Sequence, residues 1–178
     1  MTQFYLIRHG EADYPLADIY HLIGGAREWV PLTARGETQV AQLAQHLRHI
    51  APQLIVSSPI TRALQTAAIL SRALNLPLRV EFDLHEWIPD LDYRWTSGEE
   101  AMANFYEMMA FGGEWPEGET RIWEELTAVH DRVQTALRRY TYYQKLFVVC
   151  HGAVIRSLTG EAIELADYRL YELPEASS

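Results

Sequence analysis

Two apolar stretches of the chain end in the same unusual way. Residues 4–7 (FYLI) lead directly into residues 8–10 (RHG), and residues 146–150 (LFVVC) lead directly into residues 151–152 (HG). Short apolar runs of this kind are typical of strands that are buried on both faces of a parallel sheet. Because ligands bind at the carboxyl ends of parallel strands, both His-Gly pairs are expected to face one crevice.

Strands and helices alternate along most of the chain. Strands are predicted at residues 3–7, 54–56, 78–82, 145–150 and 168–173, and helices at residues 33–50, 59–74, 97–111, 120–143 and 152–158. This alternation predicts an α/β fold, a three-layer αβα sandwich with a mostly parallel sheet. Residues 11–32 show no period, and we expect a long loop there, which in a compact domain is commonly functional.

The length of 178 residues predicts a single domain spanning 1–178. Within it, residues 87–119 carry three tryptophans and a blurred pattern, and we expect them to form a small cap or lid over the site. Those tryptophans either line a substrate pocket or build a small satellite core, and the sequence leaves both readings open. The last residues, 175–178, are expected to fray.

Charge and composition exclude several classes of partner and location. A net charge of −9 disfavours nucleic acid and anionic membranes as partners. The chain begins without the features of a signal peptide and contains no apolar run of membrane-spanning length, so a cytoplasmic location is expected.

Two features that could suggest a metal or redox site have simpler interpretations. The single cysteine, Cys150, cannot form an internal disulfide, and its place at the end of an apolar strand favours a packed core thiol. His46 and His49 are three residues apart on a predicted helix, but a solvated helix face explains them better than a metal site does.

A phosphate site is indicated by the polar residues at the strand ends. Arg8 adjoins His9, and Arg62 falls in the first turn of the helix that follows residues 57–59 (SSP). Arginine forks and a helix N-terminus both favour anions, and with His9 and His151 they suit a dianionic phosphoryl group. Arginines would oppose a bound cation, so we expect no metal. Nothing in the sequence resembles a Walker loop or a dinucleotide-binding glycine motif, so we expect no other cofactor.

Five stretches, in order along the chain, resemble the signature segments of the histidine phosphatase superfamily, the phosphoglycerate mutase-like group. They are residues 6–12 (LIRHGEA), 31–39 (PLTARGETQ), 57–67 (SSPITRALQTA), 84–86 (LHE) and 148–156 (VVCHGAVIR). Residues 118–120 (GET) are similar to the Gly-Glu-Ser that opens the long helix of the family. The resemblance covers nearly the whole chain and implies a phosphoglycerate mutase-like fold.

The resemblance also implies a role for each matched side chain. His9 would be the nucleophile that forms a phosphohistidine. Arg8 and Arg62 would hold the phosphoryl oxygens, and His151 would complete that pocket. Glu86 would be the general acid that protonates the leaving group, and afterwards the base that activates water.

Some of these assignments have competitors in the sequence itself. Three other acidic residues, Glu81, Asp83 and Asp90, lie near Glu86, and an exposed acidic segment is ordinarily a solvated surface. Next to the two histidines, Gly10, Glu11 and Gly152 are candidates for substrate contacts. We expect Glu11 to orient its loop rather than exchange protons.

The chain departs from the family pattern around the substrate. Ala12 stands where the family commonly has threonine, the asparagine that follows is missing, and residues 88–93 (IPDLDY) replace a frequent Gly-x-Trp-Glu-Gly. We therefore expect a divergent substrate pocket beside an intact phosphate pocket. Family mutases are usually longer, and the compact chain favours a phosphatase.

The leading hypothesis is a metal-independent phosphatase that acts on a small phosphorylated metabolite. Two alternatives stay open: a phosphoglycerate mutase-type phosphoryl transferase, and a phosphate-binding or phosphoprotein-regulating module with little turnover. Sugar phosphates, nucleotide-derived monoesters and a phosphoprotein all present the same dianion, so the sequence does not identify the substrate.

Overall fold

The apolar strands assemble into one central five-stranded sheet. The computed structural model describes residues 1–174. The strands are β1 (Gln3–Arg8), β2 (Leu54–Ser57), β3 (Leu78–Val80), β4 (Lys145–Cys150) and β5 (Tyr168–Glu172), in the order β3-β2-β4-β1-β5. The first four strands run parallel, and β5 pairs antiparallel with β1 at one edge. The predicted mostly parallel α/β sheet is therefore confirmed.

Helices cover both faces of this sheet. They are α1 (Pro15–Ile19), α2 (Ala34–Leu47), α3 (Thr61–Leu74), α4 (Gly98–Ala110), α5 (Leu126–Arg138) and α6 (Gly152–Thr159). On β1, Leu6 packs in a core with residues of α5 and α6, whereas the next residue, Ile7, packs in a core with residues of α2 and α3. Since successive strand residues point to opposite faces, this alternation confirms the three-layer αβα sandwich.

The strand register brings the chemically interesting residues to one edge. Arg8 at the end of β1 lies opposite Cys150 at the end of β4, and Ser57 at the end of β2 lies opposite Val149. The residues that follow these three ends, His9, His151 and Ser58, consequently leave the sheet side by side.

Two glycines allow the loop after β1 to pass close to the start of α2. Thr33 caps α2, because its side-chain oxygen accepts a 2.9 Å hydrogen bond from the Gly36 N–H. A Cβ at Gly10 would lie 2.7 Å from the Gly36 carbonyl oxygen, and a Cβ at Gly36 would lie 2.2 Å from the Glu11 carbonyl oxygen. Any side chain at either position would push the two segments apart.

The long helix predicted at residues 120–143 is wrong at both ends, because α5 spans only Leu126–Arg138. Residues 120–125 instead lie along residues 88–115: the Glu124 N–H donates to the Ile88 carbonyl at 3.0 Å, and the Trp115 indole N–H donates to the Trp123 carbonyl at 2.9 Å. Tertiary contacts thus override the helical period, and Ile122, expected on the apolar stripe, is 52% exposed.

Smaller differences concern loops and element ends. The expected loop at residues 11–32 contains α1 and a 3₁₀ turn, Gly24–Trp29, and Pro59 lies just before α3 rather than in its first turn. β3 ends at Val80, short of the predicted residue 82. The expected fraying of residues 175–178 lies outside the described residues.

The cysteine and the two helix histidines are placed as expected. Cys150 is fully buried in the core, and burial raises the pKa of its thiol. His46 and His49 are exposed, and no cluster of three potential metal-ligating side chains occurs within residues 1–174. Over the same residues, no helix combines the length and apolar character needed to cross a membrane.

Gly36→Ala should destabilise the protein by about 2 kcal/mol or more, since the new Cβ would strike backbone on a neighbouring segment. Urea unfolding measures this as a lower transition midpoint. Gly98→Ala is the matched control: it also lies in the first turn of a helix, but a Cβ there meets nothing within 4 Å. That variant should be neutral or slightly more stable. Equal midpoints for the two variants would contradict the close-approach argument.

Candidate active site

His9 is a buried imidazole whose hydrogen bonds leave one ring nitrogen, Nε2, unprotonated. It is 2% exposed, and its Nδ1 lies 2.7 Å from the Gly10 carbonyl oxygen. A carbonyl only accepts, so Nδ1 carries the ring hydrogen and donates it. The lone pair therefore belongs to Nε2, which accepts a 3.1 Å hydrogen bond from the Arg62 Nε.

The surroundings of His9 keep it in this neutral form. Burial and then the Arg62 charge hold the pKa of His9 well below its ordinary value of 6.5; Arg8 adds to the shift, and the Gly10 hydrogen bond opposes it. Both dominant effects penalise the charged imidazolium. The Nε2 lone pair is therefore available at neutral pH.

His151 lies beside His9, with ring centroids 5.2 Å apart. Its Nε2 is 2.7 Å from the Ser58 Oγ, which already accepts a 3.2 Å hydrogen bond from the Ile60 N–H. The Ser58 hydroxyl hydrogen has no other acceptor among residues 1–174, so we assign it to His151 Nε2, and this assignment places the ring hydrogen on Nδ1. That Nδ1 is buried and has no hydrogen-bond partner among residues 1–174, an arrangement that a bound acceptor would satisfy.

Two arginines reach the same place from different elements. Arg62, in the first turn of α3, is 2% exposed, and its Nη1 lies 2.6 Å from an oxygen of Glu28. Arg8 donates from Nη1 to the Ile163 carbonyl at 2.6 Å, while its buried Nε has no partner among the described residues. Arg8 packs against the start of α6, where a Cβ at Gly152 would lie 3.4 Å from its guanidinium carbon.

Glu86 is the acidic residue that meets this group. Burial raises the pKa of Glu86 above its ordinary value of 4.5, although Arg62 and a hydrogen bond from the Trp87 N–H oppose the rise. The latter bond measures 2.9 Å and fixes one carboxyl oxygen. A carboxyl with a raised pKa can carry a proton to donate, which suits a general acid.

The competing acidic residues are engaged elsewhere. Glu81 accepts from Arg139 at 2.9 Å and from the Tyr140 hydroxyl at 3.1 Å, and Asp83 pairs with Arg139 at 3.0 Å. Asp90 accepts hydrogen bonds from two backbone N–H groups of its own turn. Glu86 is therefore the member of this acidic segment best placed for proton transfer.

Arg132 on α5, a residue that no sequence motif marks, holds the backbone that carries Glu86. Its guanidinium donates to the carbonyls of Asp83, His85 and Glu86 at 2.6, 2.9 and 3.3 Å, and it pairs with the Glu124 carboxylate at 2.9 Å. These bonds join residues 83–86 to residues 124–132, which lie much later in the chain. Only the folded structure reveals them.

Glu11 and Gly10 lie beside the site without facing its centre. The Glu11 carboxylate accepts a 2.8 Å hydrogen bond from the Thr33 hydroxyl, and its other oxygen lies 3.4 Å from Arg35. The Gly10 N–H donates to the Thr66 hydroxyl at 3.2 Å. This placement fits the expectation that Glu11 orients its loop.

A cavity of about 220 Å³ opens beside Glu86 and Glu28. Its aromatic lining is Trp29, Phe82, Trp87, Tyr93 and Trp95. Trp87 and Trp95 are also buried, so these tryptophans both line the pocket and belong to packed structure. Trp115 instead packs against the main core.

Comparison with known proteins gives this geometry a context. The family model for the "Histidine phosphatase superfamily (branch 1)" matches residues 4–178. The "Uncharacterized phosphatase PhoE" of Bacillus subtilis (strain 168) is 32% identical over 167 residues, which are 90% of this chain and 77% of that protein. The "Probable phosphoglycerate mutase GpmB" of Escherichia coli O139:H28 is 30% identical over 173 residues, 93% of this chain and 76% of that protein.

Among solved structures, a mycobacterial glucosyl-3-phosphoglycerate phosphatase shares the fold, with a TM-score of 0.71 at 22% identity. The alignment covers 99% of this chain and 100% of the other. The family match over nearly the whole chain agrees with the convergence of residues 8, 9, 62, 86 and 151 at one edge of the sheet. The chain belongs to the histidine phosphatase superfamily, branch 1.

Proposed function

We propose that the protein is a metal-independent phosphomonoesterase that works through a phosphohistidine on His9. The observation that carries this proposal is the neutral His9, whose Nε2 lone pair lies against the Arg62 guanidinium at 3.1 Å. A nucleophile in that position meets any phosphoryl group that the arginine binds. A carboxyl with a raised pKa, Glu86, is close enough to interact with the same arginine.

In the first step, Arg8 and Arg62 hold the oxygens of the phosphoryl dianion, and the His151 Nδ1–H donates to one of them. As Arg62 turns its donors to the phosphoryl oxygens, the His9 Nε2 is released from its hydrogen bond with Arg62 Nε and attacks phosphorus while the bond to the leaving oxygen breaks. Glu86 donates its proton to that oxygen, so the product leaves as a neutral alcohol. The guanidinium groups stabilise the charge on the transferred oxygens, which is the main requirement of phosphoryl transfer.

In the second step, water attacks the phosphohistidine, and the Glu86 carboxylate takes the proton of that water. Phosphate leaves, and His9 returns to its neutral form. Throughout, the Nδ1–H bond to the Gly10 carbonyl holds the ring in one orientation. Glu86 is then protonated again and ready for the next substrate.

The lining of the cavity supports a phosphatase over a mutase. Phosphoglycerates carry a carboxylate besides the phosphate, and a mutase must also hold a bisphosphorylated intermediate. The described residues that line the cavity include two glutamates but no arginine or lysine. Such a surface opposes a second anionic group.

The substrate that we propose is a small phosphorylated metabolite rather than a macromolecule. The cavity of about 220 Å³ is small beside the roughly 300–1,000 Å³ pockets of typical ligand sites. The net charge of −9 opposes the approach of nucleic acids and anionic membranes. Activity on a panel of phosphopeptides would test the alternative of a phosphoprotein substrate. Cell fractionation would test the proposed cytoplasmic location.

Replacing the nucleophile should abolish turnover. His9→Ala is expected to lower the rate of p-nitrophenyl phosphate hydrolysis by about 10³-fold or more, since no other group can form the covalent intermediate. The exposed His46→Ala is the matched control and should retain full activity. Wild-type activity should also survive EDTA. Undiminished hydrolysis by His9→Ala would refute the mechanism.

The pH profile should report two groups with shifted pKa values. Catalysis needs His9 neutral, so activity should fall only at a pH well below 6.5, and it needs Glu86 protonated, so activity should fall again above a raised pKa that exceeds 4.5. A bell-shaped profile follows, with its acidic limb well below pH 6.5 and its alkaline limb above pH 4.5. Glu86→Gln should remove the fall at higher pH.

The loss in Glu86→Gln should also depend on the leaving group, because only a poor leaving group needs protonation. An alkyl phosphate should lose at least about tenfold more kcat/KM than p-nitrophenyl phosphate, because kcat/KM reports the step in which the leaving group departs and not the later hydrolysis of the phosphohistidine. Asp83→Asn is the control at a neighbouring carboxylate. Equal losses for the two esters in Glu86→Gln would show that Glu86 is not the acid.

Ser58→Ala should disturb the orientation and tautomer of His151. Loss of this hydrogen bond is expected to lower kcat/KM by about fivefold to tenfold. Nitrogen NMR of labelled histidine should then show a changed tautomer at His151. Ser157→Ala is the control, since that hydroxyl donates to the Val154 carbonyl within α6. An unchanged His151 spectrum in Ser58→Ala would contradict the assignment.

A further inference from the structure

We infer that the cavity beside the phosphate site selects esters of small amino alcohols, in which a cation lies close to the phosphate. Esters whose alcohol part carries a carboxylate or a second phosphate are discriminated against. This inference rests on the proposed phosphatase function and names the substrate class for the same site. It depends on Glu28, a residue to which sequence reasoning assigned no role.

The lining of the cavity combines negative charge with aromatic rings. Glu28 and Glu86 supply the carboxyl groups, and the aromatic residues Trp29, Phe82, Trp87, Tyr93 and Trp95 supply the rings. Among the described lining residues there is no arginine or lysine to receive an anion. The one histidine of the lining, His85, donates its Nδ1–H to the Glu86 carbonyl at 2.8 Å, and burial lowers its pKa, which favours the neutral imidazole. Aromatic faces and carboxylates both attract ammonium groups, and cages of this composition are a common solution for binding them.

The turn that carries Glu28 is locked in place by its neighbours. Arg27 is buried and donates to the Leu22 and Thr96 carbonyls at 3.0 and 2.9 Å. The Gly24 N–H donates to the Trp95 carbonyl at 2.7 Å. Gly24 has φ +52°, and a Cβ there would lie 2.0 Å from the Tyr93 carbonyl oxygen. The 3₁₀ turn and the aromatic cap segment are therefore one unit.

Binding of the phosphoryl group changes what Glu28 faces. Without substrate, its carboxylate lies 2.6 Å from the Arg62 Nη1. A phosphoryl dianion competes for that guanidinium, so the Glu28 charge becomes available to the rest of the substrate. Glu86 enters the first step protonated and contributes no charge then. The alcohol part thus meets one uncompensated carboxylate, which attracts a cation and repels an anion.

Three esters of graded charge test this directly. They are phosphocholine, its uncharged carbon isostere 3,3-dimethylbutyl phosphate, and 3-phosphoglycerate. We expect kcat/KM to fall by about fivefold or more at each step of that series, as for a partly solvated charge pair or cation–π contact. Each ratio compares substrates on one protein, so a general loss of activity does not affect it.

Variants then locate the source of the selectivity. Glu28→Gln should bring the ratio of phosphocholine to its isostere close to one, whatever it does to the absolute rates. Glu37→Gln, an exposed carboxylate on α2, is the matched control and should leave that ratio unchanged.

The inference is overturned if the uncharged isostere is as good a substrate as phosphocholine, or if 3-phosphoglycerate is preferred. It is also overturned if Glu28→Gln keeps the wild-type ratio. Hydrolysis of p-nitrophenyl phosphate tests the phosphatase function separately. If p-nitrophenyl phosphate is hydrolysed and none of the three esters is, the inference is overturned while the phosphatase function stands. If p-nitrophenyl phosphate is not hydrolysed either, the phosphatase function fails, and calorimetric dissociation constants of the three esters decide the charge preference.

Discussion

The contact between the His9 imidazole and the Arg62 guanidinium is the interaction around which the site is organised. Arginine can only donate, so a hydrogen bond of 3.1 Å from its Nε requires a lone pair on the His9 Nε2. The Gly10 carbonyl fixes that choice from the other side of the ring. The sheet brings the two histidines together, since His9 and His151 follow the adjacent strands β1 and β4. Arg62 comes from the first turn of α3, the helix that follows β2.

Much of the fold could be predicted because its signals are local. The apolar runs of β1 and β4 and the capping residue Thr33 each carry enough information to place an element within a few residues. Residues 120–125 could not be predicted in this way. Ile122 fits the helical period, yet the backbone bond of Glu124 to Ile88 fixes an extended path, and that partner is invisible to any local pattern.

The residues of the candidate site likewise fall into those that local sequence could predict and those that it could not. His9, Arg62 and His151 could be recognised because each follows a predicted strand, and the ends of parallel strands converge. Glu86 needed the family resemblance to be separated from its acidic neighbours. Glu28 and Arg132 could not be found, because their importance lies in contacts with Arg62 and with the backbone at Glu86 across long stretches of chain. Neither Glu28 nor Arg132 belongs to a sequence motif that would indicate a functional role.

The ion pair between Glu28 and Arg62 has a consequence for the end of the proposed reaction. Inorganic phosphate, the last species to leave, is held by the same guanidinium, and a bare buried arginine would retain it strongly. The Glu28 carboxylate lies 2.6 Å from the Arg62 Nη1 and can pair with Arg62 as soon as phosphate dissociates. Without a ligand, Glu28 neutralises the Arg62 charge, so inhibition by product phosphate should be weak. For the same reason, every phosphate ester should bind less tightly than it would to an unpaired arginine.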